Sequence, residues 1–259
     1  MANLLNGARA VVTGSTSGLG WAMAAALAAA GARVGVTSRS RERAEATARE
    51  LGREVTAFAL DVRDEQSVAA FAAEVRERFG GVDMLVNNAG IGMRTVNPRF
   101  LVYDQPFWQV TPGGFRDVLE TKATGVFLVT RAIVPMMLEA GSGRIVNISM
   151  NKETMVRRGF APYGPSGAAV EALSQVMAAD LAETPVRVNL LLPGWGTATG
   201  MIPEEVPPEF RARLLDPAIM GRPIVWLASK EAAQAHNERI AANEFDSWLA
   251  HYSSANGDQ

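Results

Sequence analysis

Short β-branched runs alternate along this chain with longer alanine-rich amphipathic stretches, and that rhythm constrains the fold more than any other feature. The runs fall at residues 10–12, 33–37, 55–59, 84–86, 144–148, 187–192 and 238–241, the helical stretches at 19–30, 41–51, 66–79, 115–139 and 166–182. A strand that returns to its sheet in the same direction needs a long crossover, usually a helix. The alternation therefore predicts an α/β fold: one doubly wound parallel sheet of about seven strands with helices on both faces. With 259 residues, 48% of them apolar, a single domain over 1–259 can close a core of ordinary size. Two segments break the rhythm: 91–114, rich in aromatics and proline, and 193–223, which holds most of the late prolines. Both follow strands, and open parallel sheets bind ligands outside the carboxyl ends of their strands, so both are read as substrate loops.

Charge and composition remove several function classes. A net charge of −2 without a long Lys/Arg run argues against nucleic acid or an anionic membrane as partner and leaves a small molecule. Cysteine is absent and the two histidines, His236 and His251, come late, so neither a disulfide nor a metal centre is expected. The apolar start ANLLNGARAVV is too short and interrupted for a signal peptide or a membrane span, which predicts a cytoplasmic protein.

Directly after the first strand stands TGSTSGLG, residues 13–20, opening into the first helix. Glycines at 14, 18 and 20 permit a tight turn, close approach of backbone to phosphate and tight packing of helix on strand, while the helix N-terminus offers free N–H groups to a pyrophosphate. Taken with Asn87-Asn88-Ala89-Gly90 after the fourth strand, Tyr163 ahead of its helix and Pro193-Gly194 after the sixth, in order over residues 7–200, the chain resembles the short-chain dehydrogenase/reductase family. The resemblance implies a Rossmann-like domain holding a nicotinamide dinucleotide. Its cofactor contacts would be Gly14, Ser15, Ser17, Gly18, Leu19 and Gly20 at the phosphates, Asp61 and Val62 at the adenine, and Asn88, Ala89 and Gly90 along the adenine ribose. Tyr163, Pro193, Gly194 and either Thr197 or Thr199 would serve the nicotinamide end. Asp61 reads equally as a helix-capping aspartate. The second strand ends VTSRS; where an acid would bond a free 2′-hydroxyl, Ser38 and Arg39 suit a 2′-phosphate, so NADP(H) is favoured over NAD(H). The family also implies a homodimer or homotetramer built through helices 115–139 and 166–182; the chain end reads ERIAANEFDSWLAHY where the family commonly has an acid-glycine-glycine turn, so the tail near Trp248 is expected to pack differently at the subunit interface.

Reducing a carbonyl by hydride requires a proton donor at the forming alkoxide and a group to orient the oxygen. An isolated phenol releases its proton only near pH ~10, so a tyrosine needs positive charge nearby to serve in both directions. In the family that charge is a lysine four residues after the tyrosine, assisted by an orienting serine and an asparagine. Here Tyr163 matches the tyrosine, Gly167 stands at the lysine position, Met150 at the serine position with Ser149 one residue earlier, and Lys122 at the asparagine position. On a strand, a one-residue offset turns Ser149 to the other face unless a bulge intervenes. A buried ammonium is costly unless paired or useful, and glycine at 167 leaves volume beside it. The expectation is a relocated lysine: Lys122 reaching toward Gly167 and supplying charge to Tyr163, with Asn151 replacing the serine as donor to the substrate oxygen. Phe100, Tyr103, Phe107 and Trp108, with Met150, Met155, Trp195, Met201 and Met220, predict an apolar cavity and a hydrophobic substrate. The expected activity is an NADP(H)-dependent oxidoreductase at a carbonyl, imine or alcohol carbon. Its alternatives are a non-redox dehydratase, isomerase or cyclase on the same scaffold, or a nucleotide-binding protein without turnover.

Overall fold

In the computed structural model, which describes residues 4–256, seven strands form one sheet. They are β1 (Arg9–Val12), β2 (Arg33–Ser38), β3 (Val55–Ala59), β4 (Met84–Asn87), β5 (Gly143–Ile148), β6 (Val186–Leu192) and β7 (Arg239–Ala241). Their order is β3-β2-β1-β4-β5-β6-β7 and every pairing is parallel, the Rossmann-like arrangement expected. Successive strand side chains point to opposite faces, and both faces are covered, so the strands read as nearly unbroken apolar runs. Ala10, Val12, Met84 and Val86 enter the core on one face, with α1 (Gly18–Ala29) and α2 (Arg41–Leu51). Val11, Leu85 and Ile145 enter the other, with α3 (Glu65–Phe79).

On that second face α4 (Pro112–Leu119) runs through a π-helical turn, Glu120–Thr124, into α5 (Gly125–Glu139). The start is fixed by Pro112 at the first helical position and by the Thr111 side chain, which accepts from the Gly114 N–H. The expected loop 91–114 therefore ends three residues sooner than its composition suggested. The continuous helix Pro112–Glu139 is long and apolar enough to cross a membrane; half of its most apolar window is buried inside this fold. After β5 come a short α6 (Lys152–Met155) and the long α7 (Tyr163–Asp180). After β6 the chain forms α8 (Pro208–Arg211), and α9 (Gly221–Ala228) ends the segment three residues sooner than the expected loop end at 223.

The last helix, α10 (Phe245–Asn256), returns to the first face. There Trp248 lies 5.2 Å, ring to ring, from Trp226 of α9 and stacks on Tyr252 at 5.0 Å, so the tail packs on the helices of its own chain. A buried polar chain crosses the second face: Asn87 donates to Thr130 of α5 and to Asn147 of β5, each at 2.8 Å, and Asn147 donates to Ser174 of α7 at 2.8 Å. Strand order reverses between β1 and β4, and the loops leaving their carboxyl ends part there to open a crevice.

Candidate active site

The crevice is a cavity of about 830 Å³, bordered by the turns after β1, β2, β3 and β4, the π-helical turn, the start of α7 and the segment after β6. Its floor is the glycine-rich turn. Gly14 has φ +61°, and a Cβ on it would stand 2.9 Å from Cα of Ala89; a Cβ on Gly20 would run into the Asn88 amide and the Gly14 carbonyl. The two turns touch backbone to backbone. Thr13 holds them together, its hydroxyl oxygen accepting from the N–H groups of Asn88 and Ala89, each at 2.9 Å, while the Asn88 amide donates to the carbonyls of Thr13 and Gly14. Ser17, at the N-cap of α1, makes no side-chain cap, so the first amides of that helix face the crevice free of a side-chain acceptor.

Most expected cofactor contacts line this cavity: Gly14, Ser17, Gly18, Leu19, Gly20, Ser38, Arg39, Asp61, Val62, Asn88, Ala89, Gly90, Tyr163, Pro193 and Thr197. Ser15 does not, and its polar groups are spent inside the fold. It is fully buried, its hydroxyl donates to the Val12 carbonyl and accepts from Thr37 N–H, and its own N–H donates to the Thr37 carbonyl. Gly194 is likewise absent from the lining; Asn243 fills the place of its missing side chain and its carbonyl accepts from Asn151. Asp61 faces the cavity, but its carboxylate is already bound. Arg63 donates to it three times, from its guanidinium at 3.2 and 3.1 Å and from its backbone N–H at 3.1 Å, which holds the carboxyl below its ordinary range. Thr197 donates to the Trp195 carbonyl, whereas Thr199 packs toward Gly18 across the phosphate turn.

At the other end the Lys122 ammonium stands 4.7 Å from the centroid of the Tyr163 ring. Lys122 belongs to the π-helical turn, a distortion frequent at functional sites, and its stem lies against Gly90, where a Cβ would be 3.3 Å from Cγ. The residue is only 9% exposed, and no carboxylate among the described residues lies within 4.0 Å of it. The space at Gly167 is occupied by another group: a Cβ there would be 2.6 Å from the Met150 methyl and 2.8 Å from its sulfur. The expectation that Lys122 extends into the Gly167 volume is corrected accordingly, since Met150 fills it. Lys122 meets Tyr163 from the helix side instead.

Ser149 and Asn151 border the cavity with their donors committed. The Ser149 hydroxyl donates to Glu171 at 2.7 Å, and Glu171 also accepts from Arg239 at 2.9 Å, so the hydroxyl is turned into a partly buried ion pair between α7 and β7. Asn151 donates to the Gly194 carbonyl at 2.7 Å and ties the end of β5 to the segment after β6. Of the expected apolar walls, Phe100, Met150, Trp195 and Met201 line the cavity. Tyr103 is exposed, and Phe107 and Trp108, each 72% exposed, pack on one another outside it; Met155 is also off the lining, and Met220 is buried in the core beneath α1.

The sequence reading missed Thr16, Thr37, Arg94, Thr121 and Arg157, all of which line the cavity. Thr37 was the findable one, because its hydroxyl accepts from the Gly14 N–H and so holds the turn that the glycines announce. Arg94 and Arg157 lie in irregular segments, where sequence carries no period to say which way a side chain turns.

A model described as "short chain dehydrogenase" matches residues 8–209. A 3-oxoacyl-[acyl-carrier-protein] reductase of Vibrio cholerae is 32% identical over 246 residues, 92% of this chain and 97% of the relative. Among solved structures, a 3-ketoacyl-(acyl-carrier-protein) reductase from Brucella melitensis complexed with NADH is 30% identical with TM-score 0.81, and the match covers 92% of this chain and 97% of that one. A metagenomic short-chain oxidoreductase in complex with NADP is 29% identical with TM-score 0.76 over the same shares of the two chains. With the parallel sheet in this strand order and the glycine-rich turn at its switch point, those matches make the chain a member of the short-chain dehydrogenase family.

Proposed function

We propose that the protein is an NADP(H)-dependent oxidoreductase acting on a carbonyl, imine or alcohol carbon of a hydrophobic small molecule. The observation that carries this reading is the Lys122 ammonium beside the Tyr163 ring, at the far end of a cavity that begins at the free N-terminus of α1. The residues present fit a dinucleotide. Gly14 and Gly20 leave bare backbone for a pyrophosphate, and Ser38 and Arg39 stand at the end of β2, with no carboxylate within 4.0 Å of Arg39 among the described residues. Bound there, the nicotinamide supplies or accepts the hydride.

Tyr163 gives its proton to the substrate oxygen as negative charge forms there. Lys122 stabilises the charge left on the phenol oxygen, and because it is buried, water screens that attraction weakly. In this reading the activating charge comes from the helix ahead of β5, while Gly167 and Met150 close the wall on the α7 side. Met150, Met201 and Phe100 line an apolar body of substrate. A homodimer or homotetramer belongs to the same reading, with exposed Phe115, Phe127 and Val176 on the two long helices as contact residues.

The test is NADPH absorbance with a panel of hydrophobic ketones and imines. Tyr163→Phe and Lys122→Ala are each expected to lower kcat about 10²–10⁴-fold, with NADPH binding, followed by its fluorescence, retained. Full activity in Lys122→Ala would remove the lysine from the mechanism. One observation favours a second reading: the Ser149 hydroxyl is bound to Glu171 and Met150 stands beside Gly167, so neither residue of the pair that follows β5 offers a hydroxyl to share a substrate oxygen with Tyr163. That arrangement suits proton transfer without net redox, as in a dehydratase, isomerase or cyclase, and its signature is substrate consumed at constant NADPH.

A further inference from the structure

We infer that the substrate carries an anionic group, a carboxylate or a phosphate, remote from the carbon that reacts, and that Arg94 and Arg157 receive it. The inference rests on reading this cavity as the substrate site. The protein has a net charge of −2, yet the cavity is lined by Arg39, Arg63, Arg94, Lys122 and Arg157 against only Asp61 and Asp117. Both carboxylates are taken by one cation: Arg63 lies 3.1 Å from Asp61 and 3.7 Å from Asp117. The cavity thus holds an excess of positive charge inside a net negative molecule, the distribution that draws in and retains an anion.

The four remaining cations divide by position. Arg39 stands at the end of β2, where the dinucleotide's own phosphate is proposed to lie, and Lys122 stands at the Tyr163 ring. Arg94 and Arg157 are left at the substrate end. Arg94 donates only to the Gly200 carbonyl, at 2.8 Å, and no carboxylate lies within 4.0 Å of either arginine among the described residues. The guanidinium carbon of Arg157 lies over the Phe160 ring, 4.7 Å from its centroid. Phe160 packs edge to face on Phe100 in a small apolar cluster that also holds Met93, next to Arg94, and is touched by Tyr163. The two guanidinium groups therefore border the apolar surface that leads to the phenol. A guanidinium held over an aromatic ring with no carboxylate bound to it has N–H donors left for two parallel bonds to a carboxylate or phosphate. The substrate class is an oxo acid, the matching hydroxy acid or a phosphate ester, with an apolar chain between anion and reacting carbon.

The experiment compares three ketones of equal chain length, 2-octanone, 7-oxooctanoate and 7-oxooctyl phosphate, with the full chain and NADPH. At least one anionic ketone is expected to exceed 2-octanone about tenfold or more in kcat/KM, and added salt lowers that ratio. In Arg94→Gln/Arg157→Gln the ratio falls toward one, and whether the carboxylate or the phosphate is preferred tells which anion is used. Equal kcat/KM for neutral and anionic ketones overturns the inference and leaves the oxidoreductase reading standing. If none of the three is reduced, that reading fails for this chain length, and titration calorimetry with the same compounds and NADP⁺ still decides. Tighter binding of an anion that is lost in the double variant supports the inference; equal or absent binding of the anions overturns it.

Discussion

Gly167 and Met150 are one structural unit although 17 residues separate them, because the methyl and sulfur of Met150 stand where any side chain at 167 would begin. Gly167→Lys alone should therefore overpack the wall and cost about 1–3 kcal/mol, read as a lower urea midpoint. Met150→Ser combined with Gly167→Lys should regain most of that loss, and the non-additivity measures the contact. The sequence showed that something was missing at 167 but not what took its place, since a glycine reports space and says nothing of the neighbour that enters it. Lys122 was legible for a different reason: a lysine in an apolar helical stretch has few partners, and Tyr163 is one of them. Ser15 misled because it sits in a phosphate-binding pattern, yet the fold uses both its hydroxyl and its amide to brace β1 against Thr37.

At the scale of elements, the helix that delivers Lys122 is irregular where it matters. The π-helical turn Glu120–Thr124 carries one more residue than an α-helix would, so α4 and α5 are turned relative to each other across it. Deleting Ala123 should restore regular helix and swing Lys122 by about 100° relative to α5. The expected result is unchanged far-UV circular dichroism with kcat reduced about 100-fold or more; unchanged kcat would mean that the ammonium need not face Tyr163. Strands and long helices were legible to within a few residues, because burial on both faces writes continuous apolar runs and the helices keep their period. The irregular segments were not. Phe107 and Trp108 look like cavity walls by composition, but the turn that carries them leaves both rings in solvent.

For the whole molecule, the amino-terminal ends of the neighbouring central strands β1 and β4 are joined by charges as well as by apolar packing. Asp83, ahead of β4, accepts from Arg9 of β1 three times: from its backbone N–H at 2.8 Å, from Nε at 2.9 Å and from Nη2 at 2.7 Å. Burial pushes the Asp83 carboxyl up, but the Arg9 bonds outweigh it and leave the group below its usual range. A carboxyl with a depressed folded value stabilises the fold fully above its unfolded value near pH ~3.9, and that contribution fades as pH falls through the folded value. Asp83→Asn is thus expected to lose about 1–3 kcal/mol at neutral pH, with the melting curves of variant and parent converging as the solution is acidified below pH ~4. The buried amides of Asn87 and Asn147 act on the same scale. They are register partners on neighbouring strands and bond each other inside a hydrocarbon interior. A slip of one residue between β4 and β5 would turn the two carboxamides to opposite faces and break the bond between them, a penalty that sliding aliphatic strands would not incur. The pair thus works as a ruler for the sheet: it fixes the register of β4 against β5, and with it the level at which the loops after those strands open the crevice.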